Sequence, residues 1–126
     1  MWSAVIVFAG GGVGAILREL FMLQLGRYSN SFPFDIFAAN LLASFLLGLV
    51  FGLHRAHRAT GTLMLLVGTG VCGGMSTFST FIYGAYSEMT TPRDFGISLL
   101  YVVASVVIGF SFTMLGLRLA ERLRPA

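Results

Sequence analysis

Four apolar stretches occupy nearly the whole chain: about residues 2–25, 34–53, 62–88 and 94–119. Each is close to the roughly 20 residues that a helix needs to cross a bilayer. Whatever the chain folds into must give those segments an apolar surrounding. Their joints are short and rich in turn residues. Gly26 to Pro33 carries Gly, Ser, Asn and Pro, His54 to Gly61 is basic, and Thr90 to Asp94 includes Pro92, which suits a helix start. The 126 residues leave room for one domain and no long linker. Only 10% of them are charged, and the mean hydropathy is +0.87. A soluble domain carries about 25% charged residues, so lipid is the expected solvent. The predicted fold is therefore all-α, a single four-helix transmembrane domain over residues 1–126, multi-pass in a plasma or inner membrane.

The charges support the same reading. Eight arginines and no lysine stand against five acids, for a net +3. They gather at Arg18–Glu19, Arg55 and Arg58, Arg93–Asp94, and Arg118 to Arg124. That is the spacing of loops and helix ends, not of a nucleic-acid-binding face. The first apolar run lacks a basic leader, and Arg18 and Glu19 interrupt the place for a cleavage site, so it reads as a mature helix. Counting arginines at each end favours an inside N-terminus. The excess is small, and insertion in both orientations stays open. Ser44, Gly48 and Gly52, then Gly10 and Gly14, then Ser105 and Gly109, recur every four residues and mark faces where helices approach closely. The single cysteine, Cys72, has no intramolecular disulfide partner and reads as a buried thiol.

The informative stretch is Gly70-Val71-Cys72-Gly73-Gly74-Met75-Ser76-Thr77-Phe78-Ser79-Thr80-Phe81, inside the third apolar segment. Each interior glycine costs a helix about 1 kcal/mol relative to alanine. Four hydroxyls follow within five positions. A helix broken at mid-membrane frees carbonyls and amides, which must then be buried in protein or line a cavity. Transporters place ions at such half-helix ends. Freed carbonyls suit a cation; hydroxyls and amide hydrogens suit an anion. A glycine kink whose Ser and Thr bond back to the i−4 carbonyl is the competing reading. Phe78 and Phe81 share a helix face. Such rings ordinarily meet lipid or pack, but beside a broken turn their positive edges can line an anion site.

Other polar residues at depth are few and costly. Arg18 can snorkel, pair or serve a site. Asn40 can bond a neighbouring helix or donate to an anion. Tyr101 and Ser105 form one polar stripe, unless Tyr101 belongs to an interfacial belt. His54 and His57 lie in a basic loop, a poor zinc pattern. No nucleophile constellation stands out. Gly10-Gly11-Gly12-Val13-Gly14 has no preceding strand and is no phosphate loop. The chain does not read as an enzyme.

Residues 73 to 81, Gly-Gly-Met-Ser-Thr-Phe-Ser-Thr-Phe, resemble the signature of the Fluc fluoride channels, also called CrcB. Gly14-Ala15-Ile16-Leu17-Arg18, Ala39-Asn40-Leu41-Leu42, and Tyr101 with Ser105 fall in the matching order. The resemblance implies an antiparallel, dual-topology homodimer with two fluoride pores. It implies ring edges of Phe78 and Phe81 along the path, Asn40 as donor, and Arg18, Ser79 and Thr80 as its polar surroundings. Tyr101 and Ser105 would form a track, and backbone carbonyls of Gly73 and Ser76 from both subunits would hold a structural sodium ion. Ser76 stands where threonine is common, Gly84 where many relatives carry glutamate, with Glu88 one turn on as a substitute. Gly109 replaces a frequent track serine, and Glu19 replaces an aromatic residue. Pairing with an oppositely oriented paralogue stays open.

The sequence thus points to a fluoride-selective channel that lets cytoplasmic fluoride leave passively and protects the cell. The alternatives are a small dimeric four-helix transporter of the drug-exporter type, which wants an embedded carboxylate, and a non-conducting membrane assembly subunit. Glu19, Asp35, Glu88 and Asp94 all fall near predicted helix ends, against the transporter.

Overall fold

The computed structural model describes residues 1–30, 32–89 and 95–123. The Thr90–Asp94 joint with Pro92 and Arg93, the residue Arg124, and the side chain of Glu88 lie outside the described atoms. Among the described residues the regular structure is helical, without strands. Four stretches there are long and apolar enough to cross a membrane: Trp2–Tyr28, Phe34–Arg55, Gly61–Tyr86 and Phe95–Arg122.

Helix α1 (Trp2–Leu25) runs into a single 3₁₀ turn, Gly26–Tyr28. Helix α2 (Phe34–Arg55) begins just after Pro33 and carries Asp35 in its first turn, where a carboxylate suits the helix dipole. The Ser29 hydroxyl donates to Asp35 Oδ1 at 2.8 Å and accepts from the Asp35 amide at 3.3 Å, which fixes the joint. Asp35 is thereby held at a helix end, as its place in the sequence suggests.

Helix α2 extends two residues past the expected end at 53. His54 and Arg55 complete its last turn, where cations are favoured. His57 then takes a positive φ of 56°, which ends the helix. His54 Nδ1 lies 2.9 Å from the Ala59 carbonyl, so this histidine ties the loop together. Thr60 caps the third span by accepting the Leu63 amide at 3.2 Å.

That third span changes its hydrogen-bond pattern as it rises. It opens as α3 (Gly61–Leu63), widens into a π-helix over Met64–Val71, and closes as α4 (Cys72–Met75). After two non-helical residues it resumes as α5 (Phe78–Met89). The π segment is eight residues long, and π geometry is rare outside single-turn bulges. Helix α6 (Phe95–Arg122) completes the set.

The helices pack as two parallel pairs. Gly14 of α1 presses on the backbone of Val71 and Met75; a Cβ there would overlap the Val71 carbonyl. Gly48 of α2 sits equally close to the Thr113 carbonyl of α6, and the Thr113 hydroxyl donates to the Ser44 carbonyl at 3.2 Å. Small-residue faces are how membrane helices approach in the absence of a hydrophobic drive between them. The interior is correspondingly small. Ala39, Ala43, Cys72 and Met75 form one core, and Ile36, Ala85 and Tyr101 the other. Many large apolar side chains point outward, Phe8, Phe78 and Phe110 among them.

Candidate functional site

Backbone geometry sets the site. Helix α4 stops at Met75, and Ser76 is extended at φ −114°, ψ 114°. The Ser76 amide donates to the Cys72 carbonyl at 2.9 Å, and the Phe81 amide donates to the Thr77 carbonyl at 3.1 Å. Between those two bonds the helical ladder lapses. No backbone amide among the described residues meets the carbonyls of Gly73 or Ser76.

The two glycines serve different ends. Gly74 lies against α1, and a Cβ there would strike the Gly11 carbonyl. Gly73 faces open space, with nothing within 4 Å of where its Cβ would stand. Both remain inside α4, and the chain departs from helix one residue after Met75, not at the glycine pair itself.

Thr77 restarts the helix. Its Oγ1 accepts the Thr80 amide at 3.3 Å and lies 2.7 Å from Thr80 Oγ1 and 3.3 Å from Ser79 Oγ. The Thr80 hydroxyl in turn donates to the Thr77 carbonyl at 2.9 Å. This is an N-cap with a hydroxyl brace. Of the hydroxyl run, Thr80 bonds back three residues, to the carbonyl of its own cap, and among the described residues none of the run bonds the i−4 carbonyl of the kinked-helix reading.

A cleft of ≈290 Å³ opens beside this restart, lined by Asn40, Ser76, Thr77, Phe78, Phe81, Ser105 and Val106. Of the residues expected along an anion path, it gathers Asn40, Phe78, Phe81 and Ser105. Tyr101 stands directly behind Phe81, with ring centroids 5.5 Å apart and planes 32° apart. Phe78 lies 6.2 Å from Phe81, and Phe32 meets Tyr101 edge-on at 5.6 Å. Phe78 is 78% exposed on this chain, whereas Phe81 is half-buried.

Tyr101 is wholly buried, and its hydroxyl and that of Ser105 have no hydrogen-bond partner among the described residues. The two sit one turn apart and near one another without closing a bond of good geometry. Unsatisfied buried hydroxyls cost roughly 1–3 kcal/mol each and call for a reason. Gly84 makes room for this tyrosine: a Cβ at 84 would stand 3.1 Å from its hydroxyl.

A second cleft of ≈180 Å³ is lined by Ala43, Ser44, Leu47, Gly68, Cys72, Gly73 and Ser76. Ser76 borders both. Arg18 lines neither; it is half-buried, one turn beyond Gly14, with no ion pair among the described residues. Ser79 and Thr80 are held in the Thr77 brace and also lie outside the linings. In the ≈290 Å³ cleft, Thr77 and Val106 are the lining residues the sequence did not single out. A cap signal at Thr77 was available, since threonine is a favoured N-cap residue.

Residues 5–117 match the family described as CrcB-like protein, Camphor Resistance (CrcB). Fluoride-specific ion channel FluC 3 of Yersinia pseudotuberculosis serotype I is 42% identical over 121 residues, which are 96% of this chain and 90% of that protein. Fluoride-specific ion channel FluC of Gloeothece citriformis is 35% identical over 123 residues, 97% of this chain and 99% of that one. Fluoride-specific ion channel FluC 1 of Brucella abortus biovar 1 is 37% identical over 119 residues; these cover 94% of this chain but 44% of that longer protein. With a family match over nearly its whole length and four apolar spans, this multi-pass protein of the cell membrane belongs to the CrcB family.

Proposed function

We propose that this chain conducts fluoride selectively and exports it passively from the cytoplasm, so protecting the cell from fluoride toxicity. Fluoride enters from acidic media as neutral HF, ionises inside and is trapped; a channel lets the anion leave down its gradient. The observation that carries the reading is the ≈290 Å³ cleft, whose lining holds hydroxyls, an amide and two phenyl rings but no ionised group. An anion stripped of water needs compensating partners. Ring edges and neutral donors supply them without a fixed cation that would trap it. The relatives named fluoride-specific ion channels support fluoride as the ion.

In this reading Phe78 and Phe81 present ring edges to the anion, Asn40 donates to it, and the hydroxyls of Tyr101 and Ser105, without a hydrogen-bond partner among the described residues, form the track. Thr80, Ser79 and Arg18 shape its polar surroundings. The third span is a helix broken at mid-membrane, and the whole chain is one four-helix domain. Two copies assemble antiparallel, in dual topology, as a homodimer with two pores; an oppositely oriented paralogue is the other possible partner. The exposure of Phe78 and the openness at Gly73 support a second surface closing the site.

The carbonyls of Gly73 and Ser76 suit a structural sodium ion between the subunits. They are released from the helical ladder and Gly73 is unobstructed, and oxygen ligands are what hard cations take. Such an ion would offset the clustered carbonyl dipoles. No catalytic role and no nucleic-acid partner belong to this reading.

Liposomes containing the purified protein test it. They should release fluoride and retain chloride. Comparable chloride efflux would remove the selectivity; drug-coupled proton movement would favour the exporter, and absence of any flux the assembly subunit.

A further inference from the structure

The C-terminal half of α6 carries a groove that the proposed anion path does not use. One cleft of ≈270 Å³ is lined by Phe110, Ser111, Met114, Leu115 and Arg118. The next, ≈170 Å³, is lined by Leu115, Arg118, Leu119 and Arg122. Leu115 and Arg118 border both, so the two form one continuous trough. It runs along the side of α6 away from Gly109, Gly116 and Ala120, which are the buried positions of that helix here. The trough is graded. Its inner part is apolar, and its outer part carries two guanidinium groups four residues, hence about 6 Å, apart along the axis.

Neither arginine has an ion-pair partner among the described residues, and Ser111 already donates to the Val107 carbonyl at 2.9 Å. The parallel packing of α2 and α6 brings Arg55 and Arg58 to the same end of the molecule. Glu121 is the one acid described on the last turn of α6. The complement of such a trough is a molecule with an anionic head and an apolar tail.

We propose that the outer trough of α6 binds one anionic phospholipid, its phosphate held between Arg118 and Arg122 and an acyl chain lying along Phe110, Met114 and Leu115. Guanidinium groups meet phosphate oxygens through paired hydrogen bonds. Free phosphate would use only the outer half of the trough. Ordinary snorkelling would place arginines near headgroups of any kind, with no groove and no preference among lipids. The site is independent of the anion cleft, which shares none of its lining residues.

Native mass spectrometry of the detergent-purified protein tests this with phosphatidylglycerol and phosphatidylcholine of identical acyl chains. Phosphatidylglycerol should be retained in preference, and R118Q/R122Q should lower that preference roughly 10- to 30-fold. Arg118→Lys keeps the charge but not the fork and should fall between. Leu115→Trp should weaken retention of both lipids by filling the apolar half. Equal retention of the two lipids, or an unchanged preference in R118Q/R122Q, would overturn the proposal. Displacement of phosphatidylglycerol by millimolar inorganic phosphate would reduce the site to an anion site and also overturn it. So would efficient disulfide cross-linking of Leu115→Cys between two copies, because the trough would then be a subunit interface.

Discussion

Substituting isoleucine at Phe78 and at Phe81 separates fold from function, because the structure gives the two rings unequal structural roles. Phe81 is half-buried and touches both Tyr101, at 5.5 Å, and Phe78, at 6.2 Å. Each aromatic contact is worth about 0.5–1.5 kcal/mol beyond area. Phe81→Ile should therefore destabilise the protomer by roughly 1–3 kcal/mol, with a repacking cost below about 1.5 kcal/mol. Phe78 is 78% exposed and has one such ring contact, so Phe78→Ile should cost about half as much. Transport should respond differently. Replacing a ring edge by aliphatic hydrogens leaves the anion short of a partner, at about 1–3 kcal/mol on the mutational scale for an unmatched polar group. Each 1.36 kcal/mol added to the barrier is about tenfold in rate. Both mutants should pass fluoride some 5- to 150-fold more slowly, while Phe81→Ile shifts the denaturation midpoint about twice as far as Phe78→Ile. The assay is fluoride efflux from liposomes, beside a thermal melt of the same monodisperse sample. Wild-type flux from both mutants would refute the aromatic-edge mechanism. Wild-type flux from Phe78→Ile alone would show that the exposed ring does not border the path.

Thr77→Val should remove the cap of α5 and cost about 0.5–2 kcal/mol, whereas Thr77→Ser should restore most of it; a thermal melt compares the three. Asn40→Asp should fold and yet lose most fluoride efflux near neutral pH, because it sets a negative charge in the cleft; efflux equal to wild type would remove Asn40 from the path. Ser76→Ala keeps the backbone carbonyl and should conduct nearly normally. Gly73→Leu should not, although nothing on the protomer lies within 4 Å of the added Cβ. Efflux from the two, together with the sodium dependence of dimer stability by size-exclusion chromatography, decides whether a cation and a second copy meet at that point.

The four spans were legible because apolar length alone forces them. Their ends were less so. Helix α2 overran its expected end because His54 and Arg55 suit a helix C-terminus, and the stop is set by the backbone of His57, which hydropathy does not report. The irregularity of the third span was legible as the region Gly73 to Thr77, within which the chain leaves the helix at Ser76. Glycine propensity pointed to Gly73-Gly74, but Gly74 serves close approach to Gly11, a contact between distant parts of the chain. The turn is made instead by extended Ser76 and the cap of Thr77. The π-helix over Met64–Val71 had no sequence signal, since the segment is almost uniformly apolar and a change in turn width leaves no mark in hydropathy. In the site, Phe78 with Phe81 and Tyr101 with Ser105 were each readable as local stripes. Their meeting required the packing of α5 on α6, and the same packing explains Gly84 through the ring of Tyr101. Arg18 drew notice because an ionised group at depth is costly, a criterion that is blind to which cleft it borders.

Ser76 ties these observations into one arrangement. It is the extended residue, it borders both the ≈290 Å³ and the ≈180 Å³ clefts, and its carbonyl has left the helical ladder. On one side of it lie the rings and the neutral donors, and on the other Gly73 and the small residues of α2. A chain with so small an interior gains little by opening its backbone at that depth, since each unmatched group there costs several kcal/mol in hydrocarbon. In the proposed reading, a partner that meets those carbonyls and covers that glycine would offset this cost. In the proposed assembly a cation with a second copy of the chain would do both at once, and the same second surface would cover the outward side of Phe78. Dimer, cation and anion path are therefore one hypothesis with a shared hinge at Ser76. A Gly73→Leu protein that folds, stays monomeric and loses fluoride efflux would agree with it, and one that dimerises and conducts normally would remove the cation at Gly73 and its link to the other two parts.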